Sequence, residues 1–128
     1  GVYGRVRKVL DKGYSVCIFP EKEYLDETIL LNPFKKGAFR IAIEHQLPIC
    51  PMVFLDSKRK FPWYSTHGYP GILRVDVHPP LPSAGLHVDD IHDLQQKTYD
   101  LIHSELVNDP QQMAVQAIAA WKKANKTV

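Results

Sequence analysis

Three short motifs contain the residues of this sequence that are best suited to chemistry on an anionic substrate. They are Phe19-Pro20-Glu21, Phe34-Lys35-Lys36-Gly37-Ala38 and Leu47-Pro48-Ile49-Cys50-Pro51-Met52. Glu21 directly follows an apolar run, and a carboxylate at the end of a parallel strand lies where open α/β sheets bind ligands. Lys35 and Lys36 precede a helical pattern, where positive charge and free backbone N–H groups can hold a phosphate. Together the motifs predict an active-site layout for an anionic substrate.

Each motif also has a purely structural interpretation, which the residues alone leave open. Glu21 could cap a chain end or pair with a neighbouring lysine, because structural ion pairs are common. Lys35 and Lys36 could be a solvated pair at a helix end. Pro48 and Pro51 bracket the entry to a strand, where proline is tolerated and can simply hold a turn.

The apolar pattern predicts the elements that would position these motifs. Residues 16–19 are continuously apolar, which is typical of a strand covered on both faces in a parallel sheet. The predicted elements are a helix ending near residue 12, a strand over 14–19, a helix over 35–46 and a strand over 49–55. A strand, a crossover helix and a second strand imply a right-handed parallel unit. The predicted fold is therefore α/β, with a mostly parallel sheet flanked by helices.

The remaining residues predict a long loop, one more strand and two C-terminal helices. Residues 22–33 are irregular and acidic and predict a functional loop, whereas 72–77 predict a strand. Apolar residues at helical spacing predict a helix over 88–107, and residues 110–128 are predicted to be a terminal helix or tail. We interpret residues 1–128 as a single domain fragment.

Composition restricts the classes of partner. The chain has 128 residues, 45% of them hydrophobic, which is enough for one globular domain. Sixteen basic against fourteen acidic residues give a net charge of +2, which argues against nucleic acid as a partner. No apolar run approaches the ~20 residues of a membrane span, so we expect any membrane contact through this segment to be peripheral. Cys17 and Cys50 lie in apolar runs and are predicted to be buried, reduced thiols in a cytosolic setting.

The six histidines do not supply a His-Asp general base within this sequence. None of them has an aspartate five positions later, although a histidine oriented by an aspartate is expected where the whole catalytic machinery is present. Residues 87–93 contain two histidines and three aspartates. Their positions spread around a helix instead of converging, so no metal site is predicted.

Two aromatic and basic stretches are candidates for contact with a lipid surface. Trp63, Tyr64 and Tyr69 follow the basic run at residues 58–60, and Trp121 precedes two lysines. Aromatic and basic side chains favour membrane interfaces. The alternative is an aromatic cluster that packs under a loop.

In order and spacing, the three motifs resemble those of the glycerophospholipid acyltransferase family, specifically the 1-acyl-glycerol-3-phosphate (lysophosphatidate) acyltransferases. That family carries Phe-Pro-Glu-Gly-Thr-Arg after a strand, then Phe-Lys-Lys-Gly-Ala, and then an apolar Pro-Ile-x-Pro-Val strand. The resemblance extends from about residue 6 to residue 102. It implies an enzyme of phospholipid biosynthesis that transfers an acyl group from acyl-CoA or acyl-carrier protein to a lysolipid, with an Asp-oriented His as general base.

The resemblance also implies roles for individual residues. The substrate-binding residues would be Phe19, Pro20, Glu21, Lys22, Lys35, Lys36 and Pro51. They would position the phosphate-bearing acceptor for attack. The family's His-x4-Asp motif and an arginine-bearing motif are expected upstream, so no catalytic residue is assigned within this chain, which is expected to be inactive by itself. No cofactor is expected besides the acyl-CoA or acyl-carrier-protein donor, and the enzyme is expected on the cytoplasmic side of the membrane, peripheral or anchored through a segment outside this chain.

One departure from the family pattern keeps other functions open. After the glutamate this sequence has Lys22-Glu23-Tyr24 instead of Gly-Thr-Arg, so a phosphate-binding arginine is missing and nearby lysines would have to replace it. The alternatives are a non-catalytic lipid-phosphate-binding relative, an acyltransferase for another lysolipid, and an unrelated α/β phosphate-ligand domain in which Glu21 is only structural. A His-x4-Asp motif upstream would favour the enzyme.

Overall fold

The computed structural model of the protein describes residues 1–23, 29–61 and 67–125. Its elements are α1 (Val2–Leu10), α2 (Gly37–Glu44), β1 (Met52–Phe54), α3 (Ser57–Lys60), β2 (Val75–Val77), a 3-10 turn (Val88–Asp90), α4 (Ile91–Asn108) and α5 (Pro110–Ala124). The chain is thus a mixed helical and stranded structure, in which helices predominate.

Helix α1 ends as the sequence predicts. The backbone N–H of Asp11 donates to the carbonyl of Arg7 at 2.9 Å, which continues the helical pattern for one more residue. Gly13 then takes a φ of 81°, and its N–H donates to the carbonyl of Leu10 at 2.8 Å. This left-handed conformation is readily available only to glycine, so Gly13 stops the helix.

Helix α2 confirms the helix predicted over residues 35–46, with shorter bounds. It begins after Lys36, ends at Glu44 and buries an apolar face that includes Phe39 and Ile43. Gln46 follows with a φ of 52°, which turns the chain out of the helix. The helix packs on α4, so the second motif is attached directly to the main helical layer.

Strands β1 and β2 lie within two of the predicted strand segments but pair antiparallel, with Met52 opposite Val77 and Phe54 opposite Val75. They are the only two strands among the described residues, so the mostly parallel sheet that we predicted is not formed there. The predicted parallel unit required residues 14–19 as the neighbour of β1. Instead, β1 pairs with the next strand along the chain, as sequential strands commonly do.

Residues 14–19 are not a strand in this structure, and that prediction is wrong here. Val16 is 37% exposed and Phe19 is 72% exposed. Both cysteines, Cys17 and Cys50, are also exposed, contrary to the burial predicted for them. A continuously apolar segment becomes a buried strand only when neighbouring strands supply hydrogen bonds and cover both faces. No described strand lies beside these residues.

The core lies where α2, β1 and α4 meet. Its buried members are Leu31, Phe34, Phe39, Ile43, Val53, Leu55, Leu94 and Leu106. The ring of Phe34 stacks on Phe39 with centroids 6.2 Å apart and meets Tyr99 edge to face at 5.1 Å. Phe34 therefore anchors the second motif in the core, while the next residue, Lys35, is exposed.

The two predicted C-terminal helices are confirmed. The helix predicted over 88–107 is observed as the 3-10 turn followed by α4, and the backbone N–H of His87 donates to Asp90 Oδ2 at 2.8 Å across the turn. Asp109 caps α5 by accepting from the N–H of Gln111 at 3.3 Å, and Pro110 occupies the first turn, where proline is well tolerated.

Asp56 is fully buried at the end of β1, and two arginines neutralise it. Its Oδ1 accepts from Nη2 of Arg59 and Nη2 of Arg74, each at 2.9 Å. Its Oδ2 accepts from the backbone N–H of Arg74 at 2.7 Å and from Nε at 3.0 Å. Arg74 Nη2 also donates to Asp109 Oδ2 at 2.9 Å. The hydrogen bonds from Arg74 hold the pKa of Asp56 far below its ordinary value, against the opposing effect of burial.

We predict that Asp56→Asn lowers the free energy of unfolding by about 2 kcal/mol at neutral pH, because it removes the buried anion to which the partly exposed guanidinium groups of Arg59 and Arg74 donate charge-assisted hydrogen bonds. The pKa of this carboxyl is lower in the folded protein than in the unfolded chain. Its contribution to the free energy of unfolding is therefore present above the ordinary pKa of 3.8 and is lost as the pH falls below that value. Urea denaturation should therefore show the difference between wild type and variant shrinking as the pH falls from about 5 to about 2.

Asp11→Asn is the matched control, since Asp11 is exposed at the end of α1. It should change the unfolding free energy by less than about 0.5 kcal/mol. Equal effects of the two substitutions would contradict the role given to Asp56.

Candidate functional site

The first and second motifs are joined by an antiparallel bridge between Glu21 and Phe34. The backbone N–H of Lys22 donates to the carbonyl of Pro33 at 3.0 Å, and the N–H of Lys35 donates to the carbonyl of Pro20 at 2.7 Å. Two segments about a dozen residues apart are therefore held side by side. We call residues 20–22 and 33–35 the motif bridge.

The motif bridge separates its side chains onto two faces. Successive residues of an extended chain point to opposite sides. Phe34 is buried and Glu21 is half-buried, whereas Lys22 and Lys35 are exposed. Lys22 pairs across the bridge with Pro33, so it shares the outer face with Lys35. The outer face of the motif bridge is therefore cationic, and Glu21 lies on the inner face.

Glu21 contacts the chain itself through Asn32. Its Oε2 accepts from the backbone N–H of Asn32 at 3.1 Å and from Nδ2 of the same residue at 3.4 Å. Asn32 is 5% exposed, so its amide needs such partners. Glu21 thus stabilises the turn that carries the second motif, and among the described residues it forms no ion pair with a lysine.

Helix α4 closes the inner face of the motif bridge. The hydroxyl of Tyr99 donates to the carbonyl of Leu31 at 2.8 Å, and Nε2 of Gln95 donates to the carbonyl of Phe34 at 2.6 Å. Burial, followed by the nearby charge of Glu21, raises the pKa of Tyr99 above its ordinary value. Glu21 binds Asn32 and Tyr99 binds the adjacent Leu31, so the two side chains lie in one region of the inner face.

Lys36 continues the cationic face into the start of α2. It is exposed and is the N-cap residue of the helix, and no side chain caps this end. The first N–H groups of a helix have no partner within the helix and carry partial positive charge. Lys22, Lys35, Lys36 and these N–H groups together favour an anion at the junction of the motif bridge and α2.

The outer surface at the first motif also contains an apolar side chain, that of Phe19. Phe19 is 72% exposed, and Pro20, which follows it, is half-buried. An exposed phenylalanine beside lysines can contact the apolar part of an amphiphilic ligand while the lysines hold its charged part.

The third motif, residues 47–52, lies outside the motif bridge. Pro51 is buried, and its carbonyl accepts from the N–H of His78 at 2.9 Å. Ile49 forms an isolated bridge with Leu81. These contacts make the motif the entrance to β1, which fits the structural interpretation of its prolines. Substrate binding by Pro51 stays a prediction.

Three residues that support the site were not assigned to it from the sequence. Nζ of Lys58 donates to the carbonyl of Ile29 at 2.7 Å and so holds the chain just before the second motif. Asn32 and Tyr99 complete the inner face. Asn32 directly precedes Pro33, which is a turn signal, whereas nothing local marks Lys58 or Tyr99 as neighbours of a motif so distant in sequence.

Neither a metal-ion cluster nor a membrane-spanning helix occurs in the part of the chain that the structure describes. No three side chains of His, Cys, Asp or Glu are grouped there as ligands for a metal ion. No helix there is long and apolar enough to cross a membrane. Of the aromatic residues considered for lipid contact, Tyr69 and Trp121 are exposed, while Trp63 and Tyr64 lie outside the described residues.

Comparison with known proteins shows what the motif-bearing part of the chain is similar to. Residues 1–55, which include the whole motif bridge, match the model of the family described as Acyltransferase. The acyltransferase resemblance is confirmed. The chain is 33% identical over 96 residues to a putative 1-acyl-sn-glycerol-3-phosphate acyltransferase of Caenorhabditis elegans, an alignment that covers 72% of this chain and 33% of the relative.

Two other acyltransferases show similar agreement. The Saccharomyces cerevisiae 1-acyl-sn-glycerol-3-phosphate acyltransferase is 30% identical over 129 residues, covering 89% of this chain and 42% of its own length. The human 1-acyl-sn-glycerol-3-phosphate acyltransferase alpha is 34% identical over 83 residues, an alignment that covers 65% of this chain and 29% of that relative. The chain therefore spans about a third of the length of the acyltransferases it matches. No solved structure matches it.

We predict that Glu21→Gln lowers the pKa of Tyr99 toward the ordinary value of 10.0 without reaching it. Removing a negative charge makes the phenolate less unfavourable, while the burial that also raises this pKa remains. A pH titration of the tyrosine ring carbons by NMR measures the change.

Glu23→Gln is the matched control, because Glu23 is exposed two residues further along the chain. It should leave the titration of Tyr99 unchanged. If both variants shifted Tyr99 equally, Glu21 would not occupy the inner face of the motif bridge.

Proposed function

We propose that the protein is an acyltransferase of phospholipid biosynthesis, which transfers an acyl group from an acyl thioester to a 1-acyl-glycerol-3-phosphate-like lysolipid. The described residues would supply the part of the site that holds the acceptor's phosphate. The chain covers only part of its relatives, so this activity is inferred for the protein as a whole.

The observation that carries this proposal is the motif bridge. Backbone hydrogen bonds bring Lys22 next to the segment that contains Lys35 and Lys36, within the residues that match the acyltransferase family. Three lysines and the uncapped start of α2 then offer a compact site for a doubly charged phosphate monoester. Phe19 would lie against the glycerol or acyl portion.

The reaction assigns a positioning role to these residues. The acceptor hydroxyl attacks the thioester carbonyl, a C–O bond forms and the C–S bond breaks. A general base removes the hydroxyl proton, and the departing thiolate becomes a free thiol when it is protonated. Holding the phosphate fixes the hydroxyl relative to the thioester, which lowers the entropic part of the barrier.

The general base would be a histidine oriented by an aspartate in a part of the enzyme beyond these residues, because no histidine here has an aspartate five positions later. By itself the 128-residue chain is then expected to be inactive. We also expect residues 14–19 to join a parallel sheet in the complete acyltransferase domain, with acyl-CoA or acyl-carrier protein as donor and the cytoplasmic face of a membrane as the location of the enzyme.

A second candidate function is binding of a lipid phosphate without catalysis. It is favoured by the sequence Lys22-Glu23-Tyr24, which stands where the family has Gly-Thr-Arg. Tyr24 stands at the position of the family's arginine, so the bidentate recognition of phosphate that a guanidinium offers is missing there and only the charge of nearby lysines remains. The same change would also suit an acyltransferase for another lysolipid, since a different headgroup places different demands on this position.

We predict that replacing Lys22, Lys35 and Lys36 together by Gln weakens binding of a soluble short-chain lysophosphatidate about tenfold. Each exposed charge contact contributes about 0.5 kcal/mol, and three of them correspond to roughly one order of magnitude in Kd. Isothermal titration at fixed salt concentration measures the loss, and raising the salt should reduce the difference between the proteins.

The matched control replaces three other exposed lysines, Lys8, Lys12 and Lys97, by Gln. This variant has the same net charge and should bind nearly as tightly as wild type. An equal loss in both triple variants would mean that overall charge, and not the motif bridge, attracts the phosphate.

A further inference from the structure

The end of α3 and the segment 68–72 carry large apolar side chains that the core does not use. Phe61 is 66% exposed, Tyr69 is 62% exposed and Ile72 is 79% exposed. Single exposed apolar side chains are normal on a folded domain, whereas several together mark a place where another surface binds. The contacts between these residues therefore decide whether they form an interaction surface.

Lys60, the last residue of α3, brings two of these side chains together. The backbone N–H of Tyr69 donates to the carbonyl of Lys60 at 2.7 Å, and Nζ of Lys60 donates to the carbonyl of Pro70 at 3.0 Å. The same Nζ lies on the open side of Gly71, where a Cβ would collide with it. Ile72 follows directly, so Tyr69 and Ile72 flank one lysine.

Phe61 is fixed beside the same segment. Its backbone N–H donates to the carbonyl of Ser57 at 2.9 Å, which extends the turn of α3 by one residue. Its ring packs on Gly68, where an added Cβ would lie 2.6 Å from the ring atom Cδ2. One face of the ring is therefore held by the chain, while two thirds of the side chain stays exposed.

The lysines of α3 keep their charge beside these apolar side chains. Nζ of Lys58 donates to the carbonyls of residues 29 and 30, and Nζ of Lys60 donates to that of residue 70. A carbonyl has no net charge, so neither contact neutralises the lysine. Arg59 differs, because it is paired with the carboxylate of Asp56. The helix thus contributes two uncompensated positive charges.

We propose that Lys58, Lys60, Phe61, Tyr69 and Ile72 form a surface, the α3 surface, that docks on a membrane containing anionic lipid. Binding at a lipid interface combines burial of apolar side chains with attraction of lysines to anionic headgroups. A tyrosine suits the headgroup level, since its ring is apolar and its hydroxyl is polar. The choice of a membrane as the partner rests in part on the proposed function, because the acceptor there is a lipid.

The α3 surface is connected to the motif bridge. Asp56 is the N-cap residue of α3, so its buried carboxylate fixes the helix that carries the surface. Lys58 reaches from that helix to the carbonyl of Ile29, four residues before the motif bridge begins again at Pro33. A membrane bound at α3 would therefore lie near the lysines that we assign to the phosphate of the acceptor.

The test measures binding of the 128-residue chain to vesicles that contain neither lysolipid nor acyl donor. Vesicles of phosphatidylcholine and phosphatidylglycerol in equal parts should bind it about tenfold more tightly than phosphatidylcholine alone, because two lysines approach the headgroups. Replacing Phe61 and Tyr69 together by Ser should weaken binding to the anionic vesicles about tenfold, since two aromatic rings no longer enter the interface. Co-sedimentation over a range of lipid concentrations gives both ratios.

The matched control replaces Tyr14 and Trp121 by Ser, which removes two aromatic side chains that are exposed to a similar extent elsewhere on the chain. This variant should bind the anionic vesicles as wild type does. An equal loss in the two double variants, no loss on replacing Phe61 and Tyr69, or no preference for the anionic vesicles would overturn the proposal.

A second measurement needs no substitution, so a variant that fails to fold would still leave a decisive result. In bicelles of the same two lipids that also contain a gadolinium-labelled lipid, the amide signals of Lys60, Tyr69 and Ile72 should broaden most. Broadening confined to another surface would overturn the proposal. Failure of either experiment leaves lysophosphatidate binding at the motif bridge to be judged by its own titration, because no lysolipid is present here.

Discussion

The buried carboxylate of Asp56 is the interaction on which the rest of the structure depends. A charge with no solvent contact is tolerable only when it is paired and hydrogen bonded. Arg59 and Arg74 meet that requirement, and in doing so they connect the end of β1 to α3 and to the chain entering β2. Arg74 extends the network to Asp109, the residue that caps α5. One buried charge thus determines the relative positions of four elements.

The same constraint reaches the motif bridge through α3. Asp56 is the N-cap residue of that helix, so the position of α3 follows from the position of the carboxylate. Lys58, in the helix, donates to the carbonyls of Ile29 and Leu30 and holds the chain that leads into Asn32. From Asn32 the connection passes to Glu21, and the bridge to Phe34 places the lysines on the outer surface. The cationic face is therefore supported by the core.

Local signals in the sequence predicted the helices well. Gly13 ends α1, apolar residues at helical spacing within residues 35–46 produce α2, and Pro110 begins α5. Pairing of strands was less predictable, because it depends on which neighbour is present. Residues 14–19 have the composition of a doubly covered strand, but the described chain places no strand beside them, whereas β1 found an antiparallel partner.

The sequence allowed the lysines of the candidate site to be predicted, but it did not allow the contacts of the carboxylate, Glu21, to be predicted. Charge and motif order identified Lys22, Lys35 and Lys36, and the structure places them along one exposed region. Glu21 was expected to face a ligand, yet here it binds Asn32 near Tyr99. That outcome depends on contacts between residues 11 and 78 positions apart, which no local pattern reveals.

The central claim is that the motif bridge presents its outer face to a phosphate-bearing lipid. Backbone NMR of the protein during titration with a short-chain lysophosphatidate tests it most directly. The account predicts saturable shifts that are largest at the amides of Lys22, Lys35 and Lys36. Shifts confined to another surface, such as the basic end of α5, or no shift at millimolar ligand, would contradict it.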